Sequence, residues 1–300
     1  MGVHKTVFGS NQERKYYKKL TKTWDNQLNI YHNLPFLSVF KGRDPLIDSE
    51  RLQIFQLNDE EFELLKKTSI DYVICDKDDK PLLCIEFDGM QGGFNVGKKY
   101  VVPGGESKLK RRKDFLELKL RVAHGSGFPF FILSSEHFKG LANSIYLTIA
   151  DGLIGEVLST NARMESIGEG FDPSEYGYTN EDFEDLDELT KRNLIEDWAI
   201  GIEVESDYIH NPIFQKVAEL SEETGFRGYS MKYLNEDKRD PEVWSWVECE
   251  VTNLKYGNES VKVYIPNFNT PSCYFSIHLA QEIARLLALE KIKRRMRAVK

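Results

Sequence analysis

Two apolar runs that carry carboxylates at fixed places decide the fold: Ile70-Asp71-Tyr72-Val73-Ile74 and Leu82-Leu83-Cys84-Ile85-Glu86-Phe87-Asp88-Gly89. Each run has the length of a strand, and the polar residues 76–81 between them are typical of a hairpin turn. Glu86 and Asp88 share a face, because side chains two apart on a strand point the same way. A hairpin would bring Asp71 beside them, and three carboxylates on one patch repel one another unless a cation lies between them. The pattern predicts a Mg²⁺ or Mn²⁺ site; the alternative is that these acids are simply solvated at strand ends.

The composition is that of an ordinary globular protein. The chain has 300 residues, of which 41% are hydrophobic and 29% are charged, so two domains are expected. No run approaches the ~20 apolar residues of a membrane span, and residues 1–20 lack the apolar core of a secretory signal. The cysteines are Cys75, Cys84, Cys249 and Cys273. None forms a Cys-x-x-Cys pair, so neither a zinc site nor a disulfide is expected, and a cytoplasmic location without membrane contact is predicted.

The charges are segregated along the chain, although the formal net charge is -8. Residues 98–121 hold nine Lys or Arg against three acids, and the final ten residues hold six basic groups. Residues 165–188 hold ten acids and neither Lys nor Arg. We interpret residues 161–200 as an acidic linker between domains, or as a strip that covers a basic surface.

The first half alternates helical and strand patterns. Helices are predicted over residues 11–26, with Ser10 or Asn11 as N-cap, and over 59–67, 107–123 and 138–156. Strands are predicted over 37–40 and 128–133, in addition to the hairpin. This alternation predicts an α/β domain over residues 1–160, with strands in mixed directions.

The second half has a different order of elements. Residues 212–224 are amphipathic, three strand patterns follow at 228–234, 243–253 and 260–268, and a long helix covers 276–298. A smaller α+β domain of order α-β-β-β-α is therefore predicted over residues 201–300.

Four motifs in the first half occur in an order that resembles the PD-(D/E)XK nuclease superfamily, and most closely its very-short-patch-repair-like branch. They are Glu13-Arg14-Lys15-Tyr16-Tyr17-Lys18-Lys19-Leu20, Asp71 with Glu86-Phe87-Asp88-Gly89, Arg112-Lys113-Asp114, and Gly127-Phe128-Pro129-Phe130-Phe131. The resemblance covers roughly residues 10–150. It implies a restriction-endonuclease-like mixed sheet with flanking helices.

The resemblance also implies a catalytic site. Asp71, Glu86 and the backbone carbonyl of Phe87 would hold Mg²⁺ or Mn²⁺, with Glu13 acting through water or a second metal. The superfamily's usual Lys, two residues after the Glu, is Asp88 here, which could be a further ligand. A Lys on the following helix would replace it: one alignment selects Lys119, another places Glu117 there, and Lys113 is a further candidate.

Basic residues on the helix after the carboxylates are expected to contact phosphates: Lys108, Lys110, Arg111, Arg112 and Lys113. The predicted function is a metal-dependent nuclease acting on DNA or RNA, with a duplex as the expected substrate. The alternative is a catalytically inactive nuclease fold that binds nucleic acid or a protein partner. A third possibility is a hydrolase that acts on another phosphate substrate, but no motif in the sequence indicates one.

The second half loosely resembles a double-stranded-RNA-binding domain. Ala280, Ala284 and Ala288 are spaced like the small-residue face of that domain's last helix. The Lys-rich start of that helix is replaced here by Ser276-Ile277-His278-Leu279, which puts duplex binding in doubt. The resemblance implies a domain that contacts the substrate, a protein partner or a second copy of the chain. The alternative is an alanine face that packs on a sheet for structure alone.

Overall fold

The computed structural model describes residues 8–41, 46–48, 53–88, 106–226, 228–233, 245–265 and 274–299. The helices are α1 (Asn11–Trp24), α2 (Asp59–Leu65), α3 (Glu106–Gly125), α4 (Ile149–Glu169), α5 (Asn180–Glu184), α6 (Glu188–His210), α7 (Pro212–Thr224) and α8 (Tyr274–Ala298). The strands are β1 (Asn29–Pro35), β2 (Leu46–Asp48), β3 (Gln53–Phe55), β4 (Ser69–Cys75), β5 (Pro81–Asp88), β6 (Phe130–Ser134), β7 (Gly228–Tyr233), β8 (Ser245–Asn253) and β9 (Gly257–Ile265). Short 3₁₀ turns cover Phe36–Ser38, Ser135–Phe138 and Pro173–Tyr176.

The first sheet has the strand order β1-β4-β5-β6. Strands β1 and β5 run antiparallel to β4, and β6 runs parallel to β5. Tyr72 lies opposite Ile85, so the predicted hairpin is present as β4 and β5. The predicted α/β class with a mixed sheet is confirmed; β2 and β3 form a separate two-stranded ladder.

Helices cover both faces of this sheet. One face packs against α1 and α4, through buried residues that include Trp24, Tyr72 and Leu153. The opposite face packs against α3, through Val73, Cys84 and Val122. Because side chains alternate along a strand, Asp71 and Glu86 are on the same face as Val73 and Cys84, which is the face covered by α3.

One predicted strand of the first half was wrong. Residues 37–40 were predicted as a strand, but a 3₁₀ turn occupies Phe36–Ser38. Phe36 and Phe40 are both buried and stack with ring centroids 4.6 Å apart, so apolar residues four apart form the inner side of a turn. The strand in this region is β1, which no pattern predicted.

The helix predicted at 138–156 begins later and continues further. Thr148 is the N-cap of α4, and its side chain accepts the Asp151 N–H. The Asp151 carboxylate in turn accepts the Thr148 N–H at 2.9 Å. This capping box places the start at Ile149. The helix ends at Glu169, before Gly170 with φ of 90°.

The second sheet is antiparallel, in the order β7-β8-β9. Helices α7 and α8 pack together, and α8 packs on β8 and β9. Ala280, Ala284 and Ala288 are fully buried, so the alanine face brings the helix close to the sheet. The predicted order of one helix, three strands and one helix is therefore present.

Residues 161–200, predicted as an acidic linker, contain the end of α4, all of α5 and the first half of α6. Thr179 caps α5 and Asp187 caps α6, so acids and hydroxyls start helices in this segment. Helix α6 packs against α4: Arg163 pairs with Glu203 at 3.0 Å, and the Ser159 hydroxyl donates to the Ser206 carbonyl at 3.2 Å. The predicted domain limits stay a prediction.

Cys75, Cys84 and Cys249 are buried free thiols, and Cys273 lies outside the described residues. Among the helices of the described ranges, none is both long enough and apolar enough to cross a membrane.

Candidate active site

Asp71 and Glu86 come from neighbouring strands. Tyr72 lies opposite Ile85, and Asp71 and Glu86 are the next residue on each strand beyond that pair. Asp71 is fixed by a hydrogen bond, since the Phe87 N–H donates to its Oδ2 at 2.8 Å. The hairpin therefore brings these two predicted metal ligands together on the face covered by α3.

Lys119 of α3 reaches the patch formed by Asp71 and Glu86. Its Nζ donates to Glu86 Oε1 at 2.7 Å and to the Ser69 carbonyl at 2.8 Å, and it lies 4.9 Å from the centroid of the Phe115 ring. Only 1% of Lys119 is exposed. Glu117, the residue that the other alignment placed at this position, is exposed to solvent.

Glu13 approaches from α1, on the other side of the sheet. Its Oε2 accepts the Ser10 N–H at 3.1 Å in the capping box that starts the helix. Its Oε1 lies 2.5 Å from His32 Nε2, and its backbone carbonyl accepts from the Tyr72 hydroxyl at 2.7 Å. His32 lies opposite Tyr72 in the sheet and was not predicted as a site residue; a single histidine in a polar stretch gave no pattern.

The electrostatics of the patch centre on Asp71. Burial is the largest influence and raises its pKa, and the negative charge of Glu13 raises it further. The Phe87 N–H, Lys119 and His32 act in the opposite direction. Burial also raises the pKa of Tyr72, with Glu13 and Asp71 adding to the effect, so the hydroxyl remains the donor to Glu13. The patch is thus a place where negative charge is disfavoured unless a cation is near.

Asp88 is fully buried and lies opposite Ser134 in the parallel pair of β5 and β6. The basic residues predicted to contact phosphates, Lys108, Lys110, Arg111, Arg112 and Lys113, lie in the first turns of α3. Their side chains are outside the described part of the chain, so no position is assigned to them.

His137 lies in the turn that follows β6. Its Nδ1 accepts the Ser134 N–H at 2.9 Å, so Nε2 carries the proton of the neutral ring. Burial lowers the pKa of His137 to about 4, and the nearby Glu136 only partly offsets this. This histidine is therefore neutral near pH 7, and it lies beside the strand residue that faces Asp88.

Glu13, Asp71 and Glu86 do not form a group of three ligand atoms within 4.8 Å of one another. Within the described ranges, the group that satisfies this spacing is Glu156, Asp207 and His278, which sequence reasoning did not predict. These three residues lie on α4, α6 and α8, up to 122 positions apart, so no local motif could reveal them.

The basic C-terminus of α8 is largely neutralised within the chain. Lys293 pairs with Glu223 at 2.5 Å, Lys291 pairs with Glu259 at 3.6 Å, and Arg295 also pairs with Glu259. These three cations are therefore paired with acids of the same chain.

Searches against protein-family models, curated proteins and solved structures each found no match to this chain. The resemblances to nucleases and to RNA-binding domains therefore stay predictions drawn from the motifs.

Proposed function

We propose that this protein is a metal-dependent nuclease whose centre is formed by Asp71, Glu86 and Lys119. The observation that carries the proposal is the buried lysine: Lys119 donates to Glu86 at 2.7 Å from the helix that follows the carboxylate hairpin. A buried lysine beside catalytic carboxylates is suited to stabilise the charge that develops on a phosphoryl oxygen. Burial of a lysine ammonium group between Leu116, Leu118 and Leu120 would be energetically unfavourable if the residue served only for packing.

The order of elements supports the same proposal. The strands β1, β4, β5 and β6 adjoin in that order, with α1 before them and α3 between β5 and β6. We propose that this arrangement is the restriction-endonuclease-like core, with α2, β2 and β3 inserted between β1 and β4. In that arrangement the hairpin carries the carboxylates and α3 supplies the lysine.

The donor set fits a hard divalent cation. Asp71 and Glu86 offer only carboxylate oxygens, the ligands that Mg²⁺ and Mn²⁺ prefer. Burial raises the pKa of Asp71, with the charge of Glu13 adding to the effect, and a bound cation would favour the ionised carboxylate. Asp71 and Glu86 would hold the ion, with the Phe87 carbonyl and Asp88 as candidate further ligands; Glu13 would act through water or a second metal. A bound Mg²⁺ would acidify a water molecule and neutralise charge on the scissile phosphate.

Lys119 is proposed to contact the substrate, whereas His32 is proposed to position Glu13. Two of the three N–H donors of Lys119 are directed to Glu86 and to the Ser69 carbonyl. We assign the third to a phosphoryl oxygen of the substrate. His32 holds the Glu13 carboxylate at 2.5 Å and so fixes its direction. The substrate is proposed to be duplex DNA or RNA, whose backbone the basic start of α3 would follow.

One observation favours a second candidate, a nuclease fold that only binds nucleic acid or a protein. Each carboxylate of the patch already has a donor from the chain: Phe87 for Asp71, Lys119 for Glu86 and His32 for Glu13. Such a site is electrostatically compensated without a metal, as expected for an inactive relative.

Cleavage assays separate the two candidates. Supercoiled plasmid and labelled duplex RNA are incubated with the full chain in Mg²⁺, in Mn²⁺ and in EDTA. Cleavage that requires the metal and is lost in Lys119→Met supports the nuclease. Retained binding without cleavage in any metal supports the inactive candidate.

A further inference from the structure

We propose that Glu156, Asp207 and His278 form a second site, which binds a divalent transition-metal ion such as Zn²⁺. The three side chains come from α4, α6 and α8 and meet where α4 packs against the other two helices. This site is distinct from the proposed nuclease centre and does not depend on it.

The three side chains lie close enough together to share one ion. One ligand atom from each residue lies within 4.8 Å of the other two. His278 Nδ1 is 3.1 Å from Glu156 Oε2, and His278 Nε2 is 3.7 Å from Asp207 Oδ2. Two ligands of one Zn²⁺, each bound at about 2.0–2.1 Å, are themselves roughly 3 Å apart. Because Nδ1 faces Glu156 and Nε2 faces Asp207, the side chains would have to turn so that one ring nitrogen and both carboxylates meet at the ion, which would replace the proton between the imidazole and Glu156.

Outer groups hold the ligands in place, as metal sites require. The Asn211 amide donates to Glu156 Oε1 at 2.9 Å, and the Ser159 hydroxyl interacts with Asp207. Asn211 approaches closely because Gly155 has no side chain: a Cβ there would lie 2.7 Å from the Asn211 Cγ. The two carboxylate side chains are 6% and 7% exposed, whereas His278 is 31% exposed and gives a route from solvent.

The charge of the cluster independently favours a divalent ion. The buried acids that face His278 are Glu156 from α4, Asp207 from α6 and Glu282 from α8; Arg285 pairs with Glu282 at 3.0 Å. Phe214 of α7 adds an uncharged ring 4.9 Å from the imidazole, and Glu203 is paired with Arg163. Three carboxylates against one imidazolium and one guanidinium leave a net charge of about -1 in a buried place. Replacing the imidazolium proton by a divalent ion brings the sum to zero.

The donor set selects the class of metal. An imidazole with two carboxylates suits Zn²⁺ and related transition ions, whereas Mg²⁺ prefers oxygen ligands alone. The two sites of the chain should therefore differ in their metal preference.

Titration calorimetry of the full chain with ZnCl₂, alongside thermal unfolding, tests the proposal. We expect one Zn²⁺ per chain at this site and a rise in Tm of about 5 °C or more when free Zn²⁺ is 100-fold above Kd. Asp207→Asn and His278→Gln should each weaken binding by about 100-fold or more, while the double variant Asp71→Asn/Glu86→Gln, which lies outside this site, should keep it.

Two results would overturn the site. Saturable Zn²⁺ binding that is unchanged in His278→Gln would place the ion elsewhere on the chain. The absence of saturable binding, with a Tm that does not respond to Zn²⁺ while Asp207→Asn still changes the Tm, would leave only a buried ion-pair cluster. Far-UV circular dichroism of each variant confirms that it is folded, and Asp207→Asn, being isosteric, serves if His278→Gln does not fold.

Discussion

The Lys119 ammonium lies 2.7 Å from Glu86 Oε1, although Lys119 is only 1% exposed. Burial of an unpaired ammonium would be strongly unfavourable. Loss of Glu86 alone should therefore destabilise the protein more than loss of both partners. Glu86 is less enclosed, because 12% of its side chain is exposed. Removal of each partner should therefore have unequal effects.

Glu86→Leu should reduce the free energy of unfolding by about 3 kcal/mol or more, because it leaves the Lys119 charge buried and unpaired. Lys119→Met should cost less, since the remaining carboxylate has access to solvent. The double variant Glu86→Leu/Lys119→Met should fall within about 1 kcal/mol of the wild type. Urea denaturation of all four proteins gives the coupling energy, and additive single effects would contradict a direct pair.

Asp71→Asn should abolish metal-dependent cleavage without lowering stability. The amide oxygen can still accept the Phe87 N–H, and the substitution removes a charge that burial disfavours. The matched control is Glu117→Gln, since Glu117 is exposed and should leave the cleavage rate unchanged. Wild-type cleavage by Asp71→Asn would exclude Asp71 as a metal ligand.

Gly155→Ala should destabilise the protein, although alanine favours helix over glycine. Its Cβ would lie 2.8 Å from the backbone Cα of Asn211, which cannot move away as a side-chain tip could. We expect a loss of roughly 1–3 kcal/mol. The control is Gly168→Ala in the same helix, where nothing lies within 4 Å and a gain of up to about 1 kcal/mol is expected. Equal effects at both positions would mean that α4 does not pack closely against Asn211.

Stability should fall in acid through His137. Its pKa in the folded protein is about 4, below the ordinary 6.5 of the unfolded chain. The contribution of His137 to the free energy of unfolding is therefore full above pH 6.5 and is lost as pH falls towards 4. In this range the imidazole binds a proton in the unfolded chain but stays neutral in the folded protein. The loss amounts to about 3 kcal/mol. His137→Asn keeps an acceptor for the Ser134 N–H but does not titrate, so its unfolding free energy should depend less on pH in this window; an identical pH profile would refute the role of His137.

Charge reversal at the start of α3 should weaken nucleic-acid binding. Lys110→Glu, Arg111→Glu and Lys113→Glu together should reduce the slope of log K against log salt by about 3, one for each phosphate that the protein no longer neutralises. The control is Lys291→Glu with Arg295→Glu, since both cations already pair with Glu259 and should not contribute. An unchanged slope in the α3 variant would move the binding surface elsewhere.

Local patterns predicted the parts of this fold that depend on neighbouring residues. Ser10 and Glu13 form the capping box of α1, and the carboxylate hairpin is present as β4 and β5. The start of α4 was misplaced because the apolar residues before Thr148 look helical, whereas the cap at Thr148 decides the boundary. Such caps are visible in the sequence but compete with hydrophobic periodicity.

Residues that meet only through tertiary packing were harder to predict. The pairing of Lys119 with Glu86 joins positions 33 apart, and the motif alignments could not choose between Lys119 and Glu117. A lysine within the apolar run 116–120 was the available signal for a buried partner. His32, Asp207 and His278 gave no signal, because each partner lies on another element of the fold.

Diffraction from crystals soaked in MnCl₂, recorded near the manganese absorption edge, tests the central claim most directly. We expect an anomalous peak from a Mn²⁺ ion bound by the carboxylates of Asp71 and Glu86, and we expect it to disappear in Asp71→Asn/Glu86→Gln. A peak at Glu156, Asp207 and His278 can accompany it but cannot replace it. Absence of any ion between Asp71 and Glu86, in crystals where Mn²⁺ is bound elsewhere and in a protein that cleaves no nucleic acid in Mn²⁺, would contradict the proposed nuclease centre.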